Sequence, residues 1–204
     1  LVFLRNSNLF ELFKIIDVST LIIQTLEKTN MAVSKWALDP THSELQFKVK
    51  HLMISTVTGQ FKVLEGTVEA EGDDFNNASI SFSADVASVD TGNNDRDQHL
   101  RSGDFFDAEK FPTIRFESTS FQLAEGKLTG NLTIRDITHP VTLDVEFAGT
   151  NKDPWGNHKA GFSVSGKINR TAWQLNWNAA LETGGVLVSE EVRLLAEVQF
   201  VKQA

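Results

Sequence analysis

From Trp36 to Phe200, apolar side chains return at every second position in one stretch after another. Leu45, Phe47 and Val49 alternate with Gln46, Lys48 and Lys50, and Ile80, Phe82, Ala84 and Val86 alternate with serines and Asp85. The same period runs through residues 61–63, 114–116, 128–134, 141–147, 160–168 and 192–200. Side chains two apart share a strand face, so each stretch predicts a strand with one dry face and one wet one. No helix-period segment of normal length lies between them, which argues against a parallel α/β sheet. The pattern predicts an all-β fold: an antiparallel sheet of about eight strands that closes into a barrel or packs on a second sheet. A barrel of that size is just wide enough to be filled by side chains or to hold one small ligand. Patterning alone leaves both open.

Residues 96–112 break the period. Arg96, Asp97, Arg101, Asp104, Asp107, Glu109 and Lys110 sit there among Phe105, Phe106 and Phe111. The segment reads as a short helix or loop that closes one end of the β-structure, its charges toward water or a ligand's head and its rings toward the interior. Residues 169–183 are not strand-like either, and Trp173, Leu175 and Trp177 are expected to cover an open end. Smaller interruptions predict a bend or short helix at 51–57, a bulge at 64–66 and a turn at 135–140.

The N-terminal stretch 1–33 reads as an extension outside the fold, with the barrel domain at 34–204. Leu9, Phe10, Leu12, Phe13 and Ile16 fit one stripe of an amphipathic helix. Lys14, Asp17, Glu27 and Lys28 interrupt the apolar runs, so the stretch does not suit a membrane span, and it makes a poor signal peptide. The patterned domain follows Met31 at once. The expectation is that Met31 is the natural start, with a cytoplasmic location, or a periplasmic one if the natural N-terminus differs.

A surplus of Asp+Glu (27) over Lys+Arg (19) gives a formal charge of -8, which argues against nucleic acid and against attraction to anionic membranes. There is no cysteine, hence no thiolate chemistry. Fifteen Phe and four Trp against no Tyr suit a dry interior. The histidines show no metal-binding spacing, so no metal is expected. Residues 161–166 superficially match a nucleophile elbow, but the spacing fails and the run alternates like a strand. No catalytic residue is assigned. Arg96, Asp97, His99 and Arg101 form the densest polar cluster. It suits either ion pairs that cap the loop, with Asp104 or Asp107, or an anchor at the barrel mouth in which Arg96 or Arg101 holds a ligand's polar end.

Several runs then occur in a recognisable order: WALDPTHSELQF (36–47), VTGQF (57–61), SVDT (88–91), RDQHLRSGDFFD (96–107), FPTIRF (111–116), GNLTI (130–134), THPV (138–141), DPWG (153–156) and GGVLVS (184–189). The ordered set resembles the YceI-like family of bacterial, lipocalin-like, polyisoprenoid-binding proteins, over roughly residues 34–202. The resemblance implies an extended antiparallel barrel around a long isoprenoid chain, often in a homodimer. Many relatives carry a secretion signal, and none is visible before Met31. The family has no agreed catalytic reaction.

Together these readings predict a non-catalytic carrier, without metal or cofactor, for an amphipathic lipid with a long isoprenoid or acyl tail. The tail is expected along Phe47, Val49, Phe61, Ile80, Phe82 and Phe116, and along Leu132, Val145, Phe147, Phe162, Val164, Leu194 and Val198. Phe105, Phe106, Trp173 and Trp177 are expected to exclude water. The alternatives are a filled barrel serving as an interaction or stress-response module, and an enzyme acting on a lipid-like substrate.

Overall fold

The computed structural model describes residues 33–179 and 185–203. The chain divides into two units, Leu1–Val33 and Ser34–Ala204. The stripe over Leu9 to Ile16 and the Met31 start lie outside the described residues. Among the described residues eleven strands form one antiparallel sheet: β1 (Val33–Leu38), β2 (Glu44–His51), β3 (Ser55–Phe61), β4 (Leu64–Glu71), β5 (Asp74–Asp85), β6 (Val89–Asp90), β7 (Thr113–Gln122), β8 (Lys127–Ile134), β9 (Ile137–Lys152), β10 (His158–Asn169) and β11 (Val188–Lys202). The α-helix among the described residues is α1 (Asn94–Arg101).

The sheet closes on itself. Neighbours run β1-β4-β5-β7-β8-β9-β10-β11, and β11 returns to β1. Strand β11 pairs with β1 near its C-terminus (Leu38↔Phe200) and with β2 over its first half (Val49↔Val192). Hence β1 and β2 make one bent stave, and β3 with β4 and β5 with β6 make two more. The result is a closed antiparallel barrel of eight staves in chain order: their number is the one the alternation predicts, and of the two closures it allows the barrel is the one formed. Because neighbours alternate in direction, one end carries the turn at 52–54, the segment 91–112, the turn at 135–136 and the stretches 170–179 and 185–187. That is the lid end. The other end carries the turns at 72–73, 123–126 and 153–157.

The bend between β1 and β2 explains the DPTHS run. A 3-10 turn, Pro40–His42, loops out there, because the step from Leu38 to Glu44 faces only the step from Phe200 to Glu197. Asp39 Oδ1 accepts from the Thr41 N–H (3.1 Å) and the Thr41 hydroxyl (2.6 Å). Lys159 Nζ reaches Asp39 Oδ2 at 2.8 Å and Gln199 Oε1 at 3.0 Å. Burial alone raises the Asp39 carboxyl, but hydrogen bonds from Lys159, Thr41 and His42 outweigh it and hold the group well below the usual carboxylate range. Its contribution to stability is therefore full above the unfolded value of 3.8 and declines as pH falls below it. Asp39→Asn is expected to cost about 1–3 kcal/mol at neutral pH and to flatten the loss of stability below pH ~4. Urea titrations at several pH values measure both.

Three local expectations need correction. Residues 51–57 form a tight hairpin turn at 52–54 rather than a bend or helix, with β3 already extended from Ser55. The phase break expected at 64–66 falls at Lys62 and Val63, whose N–H groups both donate to Ser88 Oγ at 3.1 Å. The turn expected at 135–140 is only Arg135 and Asp136, both at positive φ. Pro140 lies inside β9, opposite Asn131.

At the end opposite the lid, rings from six strands form a plug. Phe75 is wholly buried, with Trp36 at 5.1 Å, Phe162 at 5.2 Å and Phe147 at 5.5 Å between ring centroids. Phe121 and Phe200 lie 6.3 and 6.2 Å from Phe162. The indole N–H of Trp36 donates to Ser34 Oγ at 2.9 Å, so the plug leaves no orphan donor there.

Candidate ligand cavity

Between plug and lid the barrel is hollow. A cavity of about 580 Å³ runs between the dry faces of the strands, within the range of small-molecule sites. Its wall is mainly aliphatic and aromatic. Two rings show why the middle stays open. A Cβ on Gly59 would lie 2.3 Å from Phe47 Cζ, and one on Gly130 would lie 2.4 Å from Phe116 Cζ. Each ring therefore occupies the space that a side chain at the glycine of the next strand would fill.

Most of the residues expected along the tail line this cavity. Strands β2 and β3 supply Phe47, Val49 and Phe61, and β5 supplies Ile80 and Phe82. Phe116, Leu132 and Val145 come from β7, β8 and β9; Phe162, Val164, Leu194 and Val198 come from β10 and β11. Phe105, Phe106 and Trp177 face it from the lid. Two of the expected residues lie off the wall. Phe147 is off the wall and packs in the plug, 5.0 Å from Phe162. Trp173 is buried but also off the wall: its N–H is tied to the Leu132 carbonyl at 3.1 Å and its ring stands perpendicular to that of His139 at 5.2 Å.

The polar cluster mostly holds the lid together. Asp97 is buried and off the cavity wall, accepting from the Thr91 N–H (2.9 Å) and hydroxyl (2.6 Å). Arg96 lines the cavity, yet its Nε and Nη2 donate to Thr91 Oγ1 (2.7 Å) and O (2.9 Å). Arg101 is likewise off the wall and donates to the Ala87 carbonyl at 3.0 Å. The expected capping pair is real for one histidine: His99 Nε2 lies 3.2 Å from Asp104 Oδ2. Its ring stands edge-on to Phe105 (5.1 Å) and Trp177 (4.7 Å), which joins the two lid segments over the opening.

One wall residue escapes any periodic reading. Arg170, at the end of β10, lines the cavity and is 4% exposed. Its guanidinium donates to the carbonyls of Ser189 (3.0 Å), Val188 (3.4 Å) and Leu175. Burial pushes it below its ordinary value, and Glu190 partly opposes that. A guanidinium has five N–H donors, so this one has capacity left for a guest. Among the described residues no group of His, Asp and Glu is placed to hold a metal.

The YceI-like domain model matches residues 36–200, which spans the whole barrel. The chain belongs to the YceI-like family. A UPF0312 protein of Staphylococcus aureus (strain bovine RF122 / ET3-1) is 41% identical over 169 residues, covering 82% of this chain and 98% of that protein. Among solved structures, Burkholderia cenocepacia BcnA superposes with a TM-score of 0.68 at 25% identity, over 79% of this chain and 98% of that one. The Campylobacter jejuni YCEI protein gives 0.65 at 32% identity, over 76% and 90%. A polyisoprenoid binding domain from Saccharophagus degradans, at 18% identity and a TM-score of 0.61, shares the fold over 82% of this chain and 98% of its own. Most of the runs that mark this YceI-like chain contribute to the cavity wall, among them Phe47, Phe61, Phe106, Phe116 and Leu132, while DPWG (153–156) forms a turn at the opposite end. No helix among the described residues is long and apolar enough to cross a membrane.

Proposed function

We propose that this YceI-like protein is a non-catalytic carrier of an amphipathic lipid with a long isoprenoid or acyl tail. The tail lies in the barrel between the plug and the lid, and the polar head lies under the lid near Arg170 and Arg96. The observation that carries this reading is the cavity of about 580 Å³ with an apolar wall. A void of this size is in the range of small-molecule sites, and its apolar wall suits a hydrocarbon guest. The Saccharophagus domain that shares the fold is described as polyisoprenoid binding. The reading needs neither metal nor cofactor.

The test is native mass spectrometry of protein purified without detergent. A bound mass released on denaturation and identified as a long-chain lipid is the expected result. Delipidated protein should then take up an isoprenoid lipid at a 1:1 ratio. Protein that carries no adduct and takes up neither isoprenoid nor acyl lipid would overturn the reading.

A further inference from the structure

We propose that the tip of the β2–β3 hairpin docks the lid end of the barrel on an anionic phospholipid bilayer. The biological purpose of the contact rests on the carrier reading; the contact itself is argued from the hairpin. Leu52, Met53 and Ile54 form the tip and are 36%, 62% and 83% exposed, and Val186 beside them is 41% exposed. These residues rim the end of the barrel where the lid lies. The Leu52 N–H donates to the Leu187 carbonyl at 2.8 Å, and His51 and Leu187 on either side of the tip both line the cavity. The exposed patch is thus continuous with the cavity's own wall.

The backbone makes these residues unusual. Leu52 and Met53 hold φ values of +53° and +59°, and the Ile54 N–H closes the turn on the His51 carbonyl at 3.2 Å. Two consecutive left-handed residues favour Asn-Gly, whereas bulky side chains are strained there. A chain that keeps Leu-Met at such a turn holds apolar bulk outward at a conformational cost, and outliers of this kind point to function.

Charge selects the partner. The molecule as a whole is acidic, at -8, but residues 45–64 contain Lys48, Lys50 and Lys62 and no carboxylate. Lys62 pairs with Asp90. Lys48 and Lys50 alternate with inward Phe47 and Val49, so they point outward, and among the described residues no carboxylate lies within 4.0 Å of either ammonium. An apolar tip above a basic shoulder matches the interface of an anionic bilayer. The net charge argues against such a surface, as do Asp104, Asp107, Glu109 and Asp136 elsewhere at this end; the reversal is confined to the hairpin itself. A guest with a long apolar tail is scarcely soluble in water, so a mouth pressed on the bilayer gives it a dry path in or out.

Vesicle co-sedimentation of the full chain tests the proposal, with phosphatidylcholine vesicles prepared with and without phosphatidylglycerol. The protein should sediment with the anionic vesicles and much less with the neutral ones. The double variant Leu52→Asn/Met53→Gly gives the turn the residues its φ values favour, so its thermal midpoint should hold or rise. Its partitioning should fall at least about tenfold. Lys48→Gln and Lys50→Gln should each weaken the preference for anionic vesicles about fivefold. Native protein that stays in the supernatant, or an Asn-Gly variant that sediments like native, overturns the docking site. So does a concentration-dependent dimer that this variant loses, because the patch then belongs to a second copy. Vesicle binding without lipid uptake leaves the docking site standing and removes the carrier reading.

Discussion

Phe162→Ala is expected to destabilise the protein by about 3–5 kcal/mol. The ring is buried and touches four others: Phe147 at 5.0 Å, Phe75 at 5.2 Å, Phe200 at 6.2 Å and Phe121 at 6.3 Å. Those partners come from different staves, so the plug cannot collapse onto the gap without moving the barrel wall. Aromatic pairs also add about 0.5–1.5 kcal/mol each beyond area burial. Phe162→Asp goes further, since an unpaired carboxylate enters the same dry site. Urea denaturation measures the effect as a shift in midpoint at constant slope. A loss below ~1 kcal/mol would mean that the rings do not act as one packed unit.

The plug also shows where sequence reading succeeds and where it stops. Period-two alternation placed Phe47, Phe82, Val164 and Val198 on one dry surface, because a strand has a single way to sort such a pattern. Phe75 gave no such signal. It stands among Asp73, Asp74, Asn76 and Asn77, and Asn77 takes φ +63°, which slips the phase so that Phe75 and Ala78 both turn inward. Phe147 alternates correctly, but a register shift between Gly161 and Phe162 sets it opposite Phe162 and into the plug. Arg170 was illegible because it sits in an aperiodic connection and its partners are backbone carbonyls. Sequence cannot report which carbonyls face which side chain. The same limit applied to Arg96 and Arg101, which read either as loop-capping ion pairs or as anchors and are tied to Thr91 and to the Ala87 carbonyl. Whether the barrel was hollow could not be read either, because that depends on rings taking the space beside Gly59 and Gly130.

Putting the same bulky side chain at two alanines separates empty space from packed core. Ala84 is 1% exposed and belongs to the small cluster with Phe61, Leu64 and Val89. A phenylalanine there must displace neighbours, and Ala84→Phe is expected to cost about 1–3 kcal/mol. Ala196 lines the cavity on β11, opposite Val164 on β10 and Leu45 on β2. A ring at 196 enters the void of about 580 Å³, where it gains dispersion contacts and shields apolar wall without moving it. Ala196→Phe should therefore keep or raise the thermal midpoint while it narrows the path for a tail. Each CH₂ that loses its place forfeits about 0.8 kcal/mol, so two or three excluded groups weaken binding by at least about tenfold. Short-tailed lipids should lose less than long ones, since they need less of the tunnel. Calorimetric titration of an isoprenoid series against native and Ala196→Phe protein measures the difference. Full-strength binding of the longest tail to a stable Ala196→Phe protein would place the guest somewhere other than the barrel. A loss of stability matching that of Ala84→Phe would mean that the space beside Ala196 is filled in solution.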